Sequence, residues 1–95
     1  MEEQIKKLKP ILVRILKKNG VVKAGIFGSF ARNEVKKKSD IDILVQFKKG
    51  KGYFDLVRLE DELKSKIGRD IDLVTYNSIH HLLRRRILND EVRIL

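Results

Sequence analysis

Apolar residues recur along the chain at intervals that predict alternating helices and short strands. In residues 2–18 they stand three and four positions apart, which is the pattern of an amphipathic helix. Pro10 lies inside this segment and should either kink the helix or mark its true first turn. Asn19 and Gly20 follow as a helix stop, so the chain is expected to open with one helix.

Three later segments also predict helices. A brief one is expected at 30–34 with Ser29 as its N-cap, and a longer one at 53–67 that ends at Gly68. A last helix is expected to run from a Ser78 cap to residue 88. The residues of 53–67 that are expected to share one apolar side are Phe54, Val57, Leu59, Leu63 and Ile67.

Strands are predicted at 21–27, 40–47 and 70–76, with a short terminal strand at 92–95. In the second of these, apolar residues alternate along one face: Ile41, Ile43, Val45 and Phe47. Because strands and helices alternate, the class is α/β or α+β, with a small sheet covered on one side by helices.

Composition limits the range of functions. Ninety-five residues predict a single domain, 1–95, without room for a second substrate-binding domain. The chain has no cysteine, which excludes disulfides and thiolate metal sites. The sequence shows no apolar run near the roughly 20 residues that span a bilayer, so a cytoplasmic protein without membrane contact is expected.

The chain is strongly basic, with 22 Lys and Arg against 13 Asp and Glu and a net charge of +9. This excess either attracts polyanions such as nucleic acid or nucleoside triphosphates, or simply solvates a charge-dense surface. Its clusters at 36–38, 48–51 and 84–86 match no homeodomain, zinc-finger or RNA-recognition pattern. Nucleic acid is therefore a possible partner but not the favoured one.

The most informative polar residues are three aspartates. Asp40 and Asp42 stand two positions apart on a strand, so both side chains point to one face. Asp72 follows in a nearly repeated pattern on another predicted strand, and adjacent strands would bring all three carboxylates together. Such a cluster needs a cation, and a hard divalent ion such as Mg²⁺ suits it, although a polar strand face in water is the simpler alternative.

A longer motif surrounds these residues. Residues 27–33 read Phe-Gly-Ser-Phe-Ala-Arg-Asn, and residues 39–45 read Ser-Asp-Ile-Asp-Ile-Leu-Val. This motif resembles the signature of the polymerase-beta-like nucleotidyltransferase superfamily, and most closely that of its minimal members, the MNT-domain proteins. Asn33 stands where the family favours glycine. The resemblance covers nearly the whole chain and implies the nucleotidyltransferase fold, with a small mixed sheet of three to four strands covered by helices.

The resemblance also implies a reaction, the transfer of a nucleoside monophosphate from an NTP, most plausibly ATP, to an acceptor hydroxyl. Asp40 and Asp42 would hold the Mg²⁺ that binds the triphosphate, and Asp72 would join them at a second Mg²⁺ near the attacking hydroxyl. Gly28 and Ser29 would bind phosphates at the start of the short helix. Arg32 would add positive charge there, or is an exposed helix arginine.

Minimal members of this family resemble antitoxins that AMPylate a separate helical HEPN-domain toxin, which implies such a partner here. One alternative is a binding module with this fold and little catalysis, which acts by docking. Another is a nucleic-acid-binding regulator, which leaves the aspartates unexplained. The base, the acceptor and a possible oligomer stay open.

Weaker candidates receive structural interpretations. His80 and His81 are adjacent and are expected at the surface, because neighbours on a helix point about 100° apart and cannot share a metal. Tyr53 and Tyr76 are expected to pack rather than stack on a base. The arginines at 84–86 are expected on a solvated helix face.

Overall fold

The computed structural model of the protein describes residues 3–28 and 41–95. Its helices are α1 (Glu3–Lys18), α2 (Tyr53–Ile67) and α3 (His81–Asp90), with a 3-10 helix at Tyr76–Ser78. Its strands are β1 (Val21–Phe27), β2 (Ile41–Phe47), β3 (Ile71–Thr75) and β4 (Val92–Arg93). The predicted helix at 30–34 and its Ser29 cap lie outside the described residues.

The four strands form one mixed sheet in the order β3-β2-β1-β4. β2 and β3 are parallel, while β1 runs antiparallel to both of its neighbours, β2 and β4. Parallel strands need a long crossover, and α2 supplies the one between β2 and β3. This confirms the predicted class, a small mixed sheet covered by helices.

The main core lies between one face of the sheet and helices α1 and α2. Ile41, Ile43 and Val45 of β2 are fully buried there, as the alternation in the sequence predicts. The helices contribute four fully buried leucines: Leu12, Leu16, Leu59 and Leu63. Burial of one such side chain stabilises the fold by about 1.5–3 kcal/mol, so this layer holds the sheet and both helices together.

A second, smaller core occupies the opposite face of the sheet, so the expectation of a sheet covered on one side only is wrong. Leu44 points away from its two buried neighbours and is itself fully buried. It packs with Tyr76 and Ile79, against which Ile87 and Leu88 of α3 are partly buried. The chain after β3 therefore returns across the second face.

The apolar side predicted for residues 53–67 is partly wrong. Leu59 and Leu63 are buried, but Phe54 and Val57 are 82% and 38% exposed. At 3.6 residues per turn, these two positions point about 140° and 160° away from Leu59. Leu56, about 60° from it, packs against the core instead.

Helix ends follow the predicted signals in two cases and depart from them in one, and of the two alternatives for Pro10 the structure excludes the first turn. Gly68 ends α2 in the left-handed conformation, with φ of 75°, as predicted, and α1 ends at Lys18 before the Asn19–Gly20 turn. Pro10 is not in the first turn of α1, since the helix begins at Glu3. The predicted Ser78 cap is wrong, because His80 caps α3 through its Nδ1, which accepts from the Leu82 N–H at 3.2 Å.

The carboxyl end of α1 is tied to α2 by polar side chains. Lys18 Nζ lies 2.8 Å from Glu62 Oε2, and Asn19 Nδ2 donates to Glu62 Oε1 at 3.2 Å. The hydrogen bond from Lys18, followed by that from Asn19, lowers the pKa of Glu62. None of the helices in the described residues has the length and apolarity that crossing a membrane requires.

Candidate active site

Three strand ends meet at one edge of the sheet and bring two of the predicted aspartates together. Asp42, near the start of β2, is in register with Asp72, near the start of β3, and with Phe27, at the end of β1. Neighbouring strands lie about 4.8 Å apart, and residues in register point to the same face. The two carboxylates are therefore adjacent, on the face opposite the main core.

The residues on either side of this pair explain its orientation. Ile41 pairs with Ile71, and Ile43 pairs with Leu73, and all four are buried in the main core. Alternation along each strand then turns the aspartates to the other face. Asp42 is half-buried and Asp72 is exposed, so the pair lies at an accessible edge.

Gly28 forms the turn beside Asp42 and is required there for two reasons. Its φ is 74°, in the left-handed region that L side chains avoid. A Cβ built on Gly28 would also collide with the Asp42 carboxylate, whose Cγ would lie 3.4 Å away. The carboxylate thus lies directly against the backbone of the turn.

Of the six predicted site residues, the structure brings together Gly28, Asp42 and Asp72. The others, Ser29, Arg32 and Asp40, lie outside the described residues. Within residues 6–28 and 41–95, no three acidic, His or Cys side chains gather into a metal-binding group. The available donors are nevertheless two adjacent carboxylates, and oxygen ligands of this kind fit a hard divalent cation.

The weaker candidates have structural roles. His80 and His81 are exposed and their rings stack with centroids 4.7 Å apart, which agrees with a surface location. They do not diverge by 100°, because His80 precedes the helix rather than belonging to it. Tyr76 is buried, but Tyr53 is 74% exposed, so the expectation that it packs is wrong. Arg84 is not wholly solvated, since it donates to the Tyr76 carbonyl oxygen at 3.3 Å.

A second concave region lies at the opposite end of the parallel strands and was not predicted. It has a volume of about 300 Å³ and is lined by the residues after β2 and β3, including Lys48, Lys49, Lys51, Thr75 and Asn77. We call it the lysine pocket. The lysine run marks it in the sequence, but only the pairing of β2 with β3 brings residues 45–51 and 75–77 together.

Comparison with known proteins finds a matching family and similar sequences. The family described as Polymerase beta, Nucleotidyltransferase matches residues 6–95. A protein of Methanocaldococcus jannaschii, MJ0435, provisionally named a protein adenylyltransferase, is 55% identical over 91 residues, which are 96% of this chain and 98% of that protein. Protein adenylyltransferase MntA of Thermococcus cleftensis is 35% identical over 75 residues, covering 79% of this chain and 76% of the relative.

Solved structures share the fold. One provisionally described as a minimal nucleotidyltransferase has a TM-score of 0.82 at 29% identity and covers 95% of this chain and 92% of its own. An MNT antitoxin in complex with a tri-AMPylated HEPN toxin of Shewanella oneidensis has a TM-score of 0.74 at 21% identity. That match covers 95% of this chain and 71% of the other, and at this identity it establishes the shared fold.

Proposed function

This chain belongs to the polymerase beta nucleotidyltransferase family, and we propose that it transfers AMP from ATP to a hydroxyl group of a separate HEPN-domain protein. The chain is an enzyme of the nucleotidyltransferase class, and its relatives named above are protein adenylyltransferases. The observation that carries the proposal is the in-register pair of Asp42 and Asp72 beside the Gly28 turn.

In this proposal the aspartates bind the cation and the turn binds phosphate. Asp42, Asp72 and Asp40 would hold Mg²⁺, which when bound supplies positive charge to the triphosphate and to the departing pyrophosphate. The backbone N–H groups at Gly28 and the Ser29 hydroxyl would hold the phosphates beyond the α-phosphate. The site lies at the sheet edge, where an acceptor side chain from another protein has access.

The proposed reaction forms one phosphorus–oxygen bond, breaks another and transfers one proton. The acceptor hydroxyl oxygen forms a bond to the α-phosphorus, and the bond from that phosphorus to the bridging oxygen of pyrophosphate breaks. Asp72, the more exposed of the two described carboxylates, would take the hydroxyl proton. The products are an AMP ester of the acceptor and pyrophosphate.

The proposed acceptor is a HEPN-domain protein, and the chain would then act as the antitoxin. The support is that a structural neighbour is an MNT antitoxin in complex with an AMPylated HEPN toxin. The stronger sequence relationship, 55% identity to a protein provisionally named an adenylyltransferase, supports AMP as the group transferred.

The test is transfer of label from α-labelled ATP to a purified HEPN-domain protein from the same source. We expect Mg²⁺-dependent labelling that falls at least about 100-fold in Asp42→Asn and in Asp72→Asn, since even outer-shell partners of a metal are worth 10–100-fold. Asp61→Asn, which removes an exposed carboxylate from α2, is the matched control and should keep full activity. Binding and neutralisation of the partner without labelling would instead identify a docking module.

A further inference from the structure

Within the part of the chain that the structure describes, most of the positive charge of the lysine pocket has no carboxylate partner. Lys48 and Lys49 are exposed and make no ion pair within the described residues, and Lys51 reaches Asp55 only at 3.9 Å. The second carboxylate oxygen of Asp55 is already used, because it accepts from the Gly52 N–H at 2.8 Å. Within the described residues, Asp55 is therefore only a weak partner for Lys51, and Lys48 and Lys49 have no paired carboxylate.

Two of these lysines, Lys48 and Lys51, lie close to the same turn of the backbone. The Lys48 N–H donates to the Gly20 carbonyl oxygen at 2.8 Å. A Cβ built on Gly20 would lie 2.8 Å from Lys51 Cε and 3.3 Å from Lys48 Cε, so both side chains pass over the same turn. The nearby carboxyl end of α1 has its own basic residues, Lys17 and Lys18, to offset its dipole. The exposed lysines of the pocket are therefore accessible to an anionic partner.

Two exposed aromatic residues closely follow these lysines in the sequence. Tyr53 and Phe54 begin α2, two and three residues after Lys51, and they are 74% and 82% exposed. Their rings meet edge to face with centroids 6.4 Å apart. Large apolar side chains exposed to this extent contribute nothing to the core, and aromatic faces are the surface on which unpaired bases stack.

We propose that the lysine pocket together with Tyr53 and Phe54 binds single-stranded nucleic acid. Lysines that neutralise phosphates beside aromatic rings that stack on bases are the two components of sequence-tolerant single-strand binding. Gln46, Thr75 and Asn77 add polar groups at the wall of the pocket. The net charge of +9 adds a long-range attraction to the polyanion.

This surface is separate from the candidate active site. Lys48 lies six positions after Asp42, which corresponds to about 20 Å along an extended strand. Nucleic acid at the lysine pocket would therefore leave the aspartate edge open. The inference goes beyond the proposed transfer of AMP and is tested by a different measurement.

The experiment measures the fluorescence anisotropy of labelled oligouridylate and oligothymidylate of about 12 nucleotides, within the site size of compact single-strand binders. Titrations run from about 50 to 200 mM salt. For Lys48→Gln/Lys49→Gln we expect a roughly tenfold loss of affinity, and a salt slope smaller by about 1.4 because each phosphate contact contributes about 0.7. Tighter binding of the RNA probe would indicate contacts to the 2′-hydroxyl, and equal binding would indicate backbone and stacking contacts alone.

Three further variants distinguish a specific binding site from general electrostatic attraction. Lys6→Gln/Lys7→Gln removes the same charge from an exposed part of α1, and should leave both affinity and slope close to wild type. Phe54→Ala removes an exposed ring without touching the core, and should weaken binding about five- to hundredfold. Asp42→Asn should bind the probe like wild type.

Three results would overturn the proposal. One is an equal loss in the two double lysine variants, which would mean that binding depends on net charge alone. Another is unchanged affinity in Phe54→Ala, which would exclude stacking. The third is that these variants lose binding to the HEPN-domain protein while oligonucleotide binding is absent or unchanged, which would make the surface a protein interface.

Discussion

At the scale of single residues, the candidate active site includes a glycine, Gly28, whose lack of a side chain matters as much as the carboxylates. Gly28 combines a positive φ with direct contact to the Asp42 carboxylate. Gly68 has nearly the same φ, 75°, but a Cβ there would meet nothing within 4 Å. A side chain at either glycine would strain the backbone, but only a side chain at Gly28 would also contact the candidate site.

Substitution of these two glycines tests that difference. Gly28→Ala and Gly68→Ala should each lower the free energy of unfolding by about 1–2 kcal/mol, because both place alanine in the left-handed region. Only Gly28→Ala should also abolish AMP transfer, since its methyl group displaces the Asp42 carboxylate. Urea unfolding and the labelling assay measure the two effects. Full activity in Gly28→Ala would contradict a role for this contact.

At the scale of elements, one buried junction fixes the second face of the sheet. A Cβ on the buried Gly25 of β1 would lie 2.6 Å from Glu91 Cδ, so the Glu91 carboxylate packs against this glycine. The Tyr76 hydroxyl donates to the same carboxylate, and Lys23 Nζ lies 4.4 Å above the Tyr76 ring. The junction ties the 3-10 helix and the end of α3 to β1.

The junction predicts a specific loss of stability in alkali. Burial, followed by the hydrogen bond to Glu91, raises the pKa of Tyr76 well above 10. The unfolded chain then loses this proton first, so the contribution of Tyr76 is constant below about pH 10 and declines above it. Tyr76→Phe should lower the free energy of unfolding at neutral pH by about 1.5–3 kcal/mol and show a shallower alkaline decline.

Denaturant unfolding across pH 8–11 measures this effect. Tyr53→Phe is the matched control at neutral pH, because it removes an exposed hydroxyl and should change the free energy of unfolding by less than about 0.5 kcal/mol. Identical alkaline profiles for wild type and Tyr76→Phe would show that the junction does not contribute.

At the scale of the whole molecule, stability rests on a thin core that two helices and one sheet share. A chain of 95 residues is expected to be stable by only about 5–14 kcal/mol. Fully buried leucines such as Leu63 therefore carry a large part of the total. Exposed leucines such as Leu82, at 76% exposure, contribute little to the isolated chain.

A pair of leucine substitutions tests this distribution. Leu63→Ala should lower the free energy of unfolding by about 2–5 kcal/mol, through lost burial and the cavity that remains. Leu82→Ala should change it by less than about 0.5 kcal/mol. Urea unfolding at two protein concentrations measures both. A comparable, concentration-dependent loss in Leu82→Ala would mean that this side chain is buried between copies, which bears on the oligomeric state.

Local signals along the chain are sufficient to predict several of its elements. The bounds of β1 and α2 match the predicted 21–27 and 53–67, since Gly20 precedes β1 and Gly68 ends α2 by local backbone geometry. The buried face of β2 follows from alternation alone. The aspartates and the Gly28 turn stand out because their spacing forms a motif along the chain, and the roles of all six candidate site residues stay predictions.

The way in which these elements meet depends on contacts that form only in the folded chain. The register that places Asp42 beside Asp72 depends on the pairing of two strands about 30 positions apart in the sequence. The packing of Leu56 rather than Phe54, the second core around Leu44 and the lysine pocket depend on the same arrangement. Hydrophobic periodicity describes one element at a time, whereas burial, register and concave surfaces arise from contacts between elements that are distant along the chain.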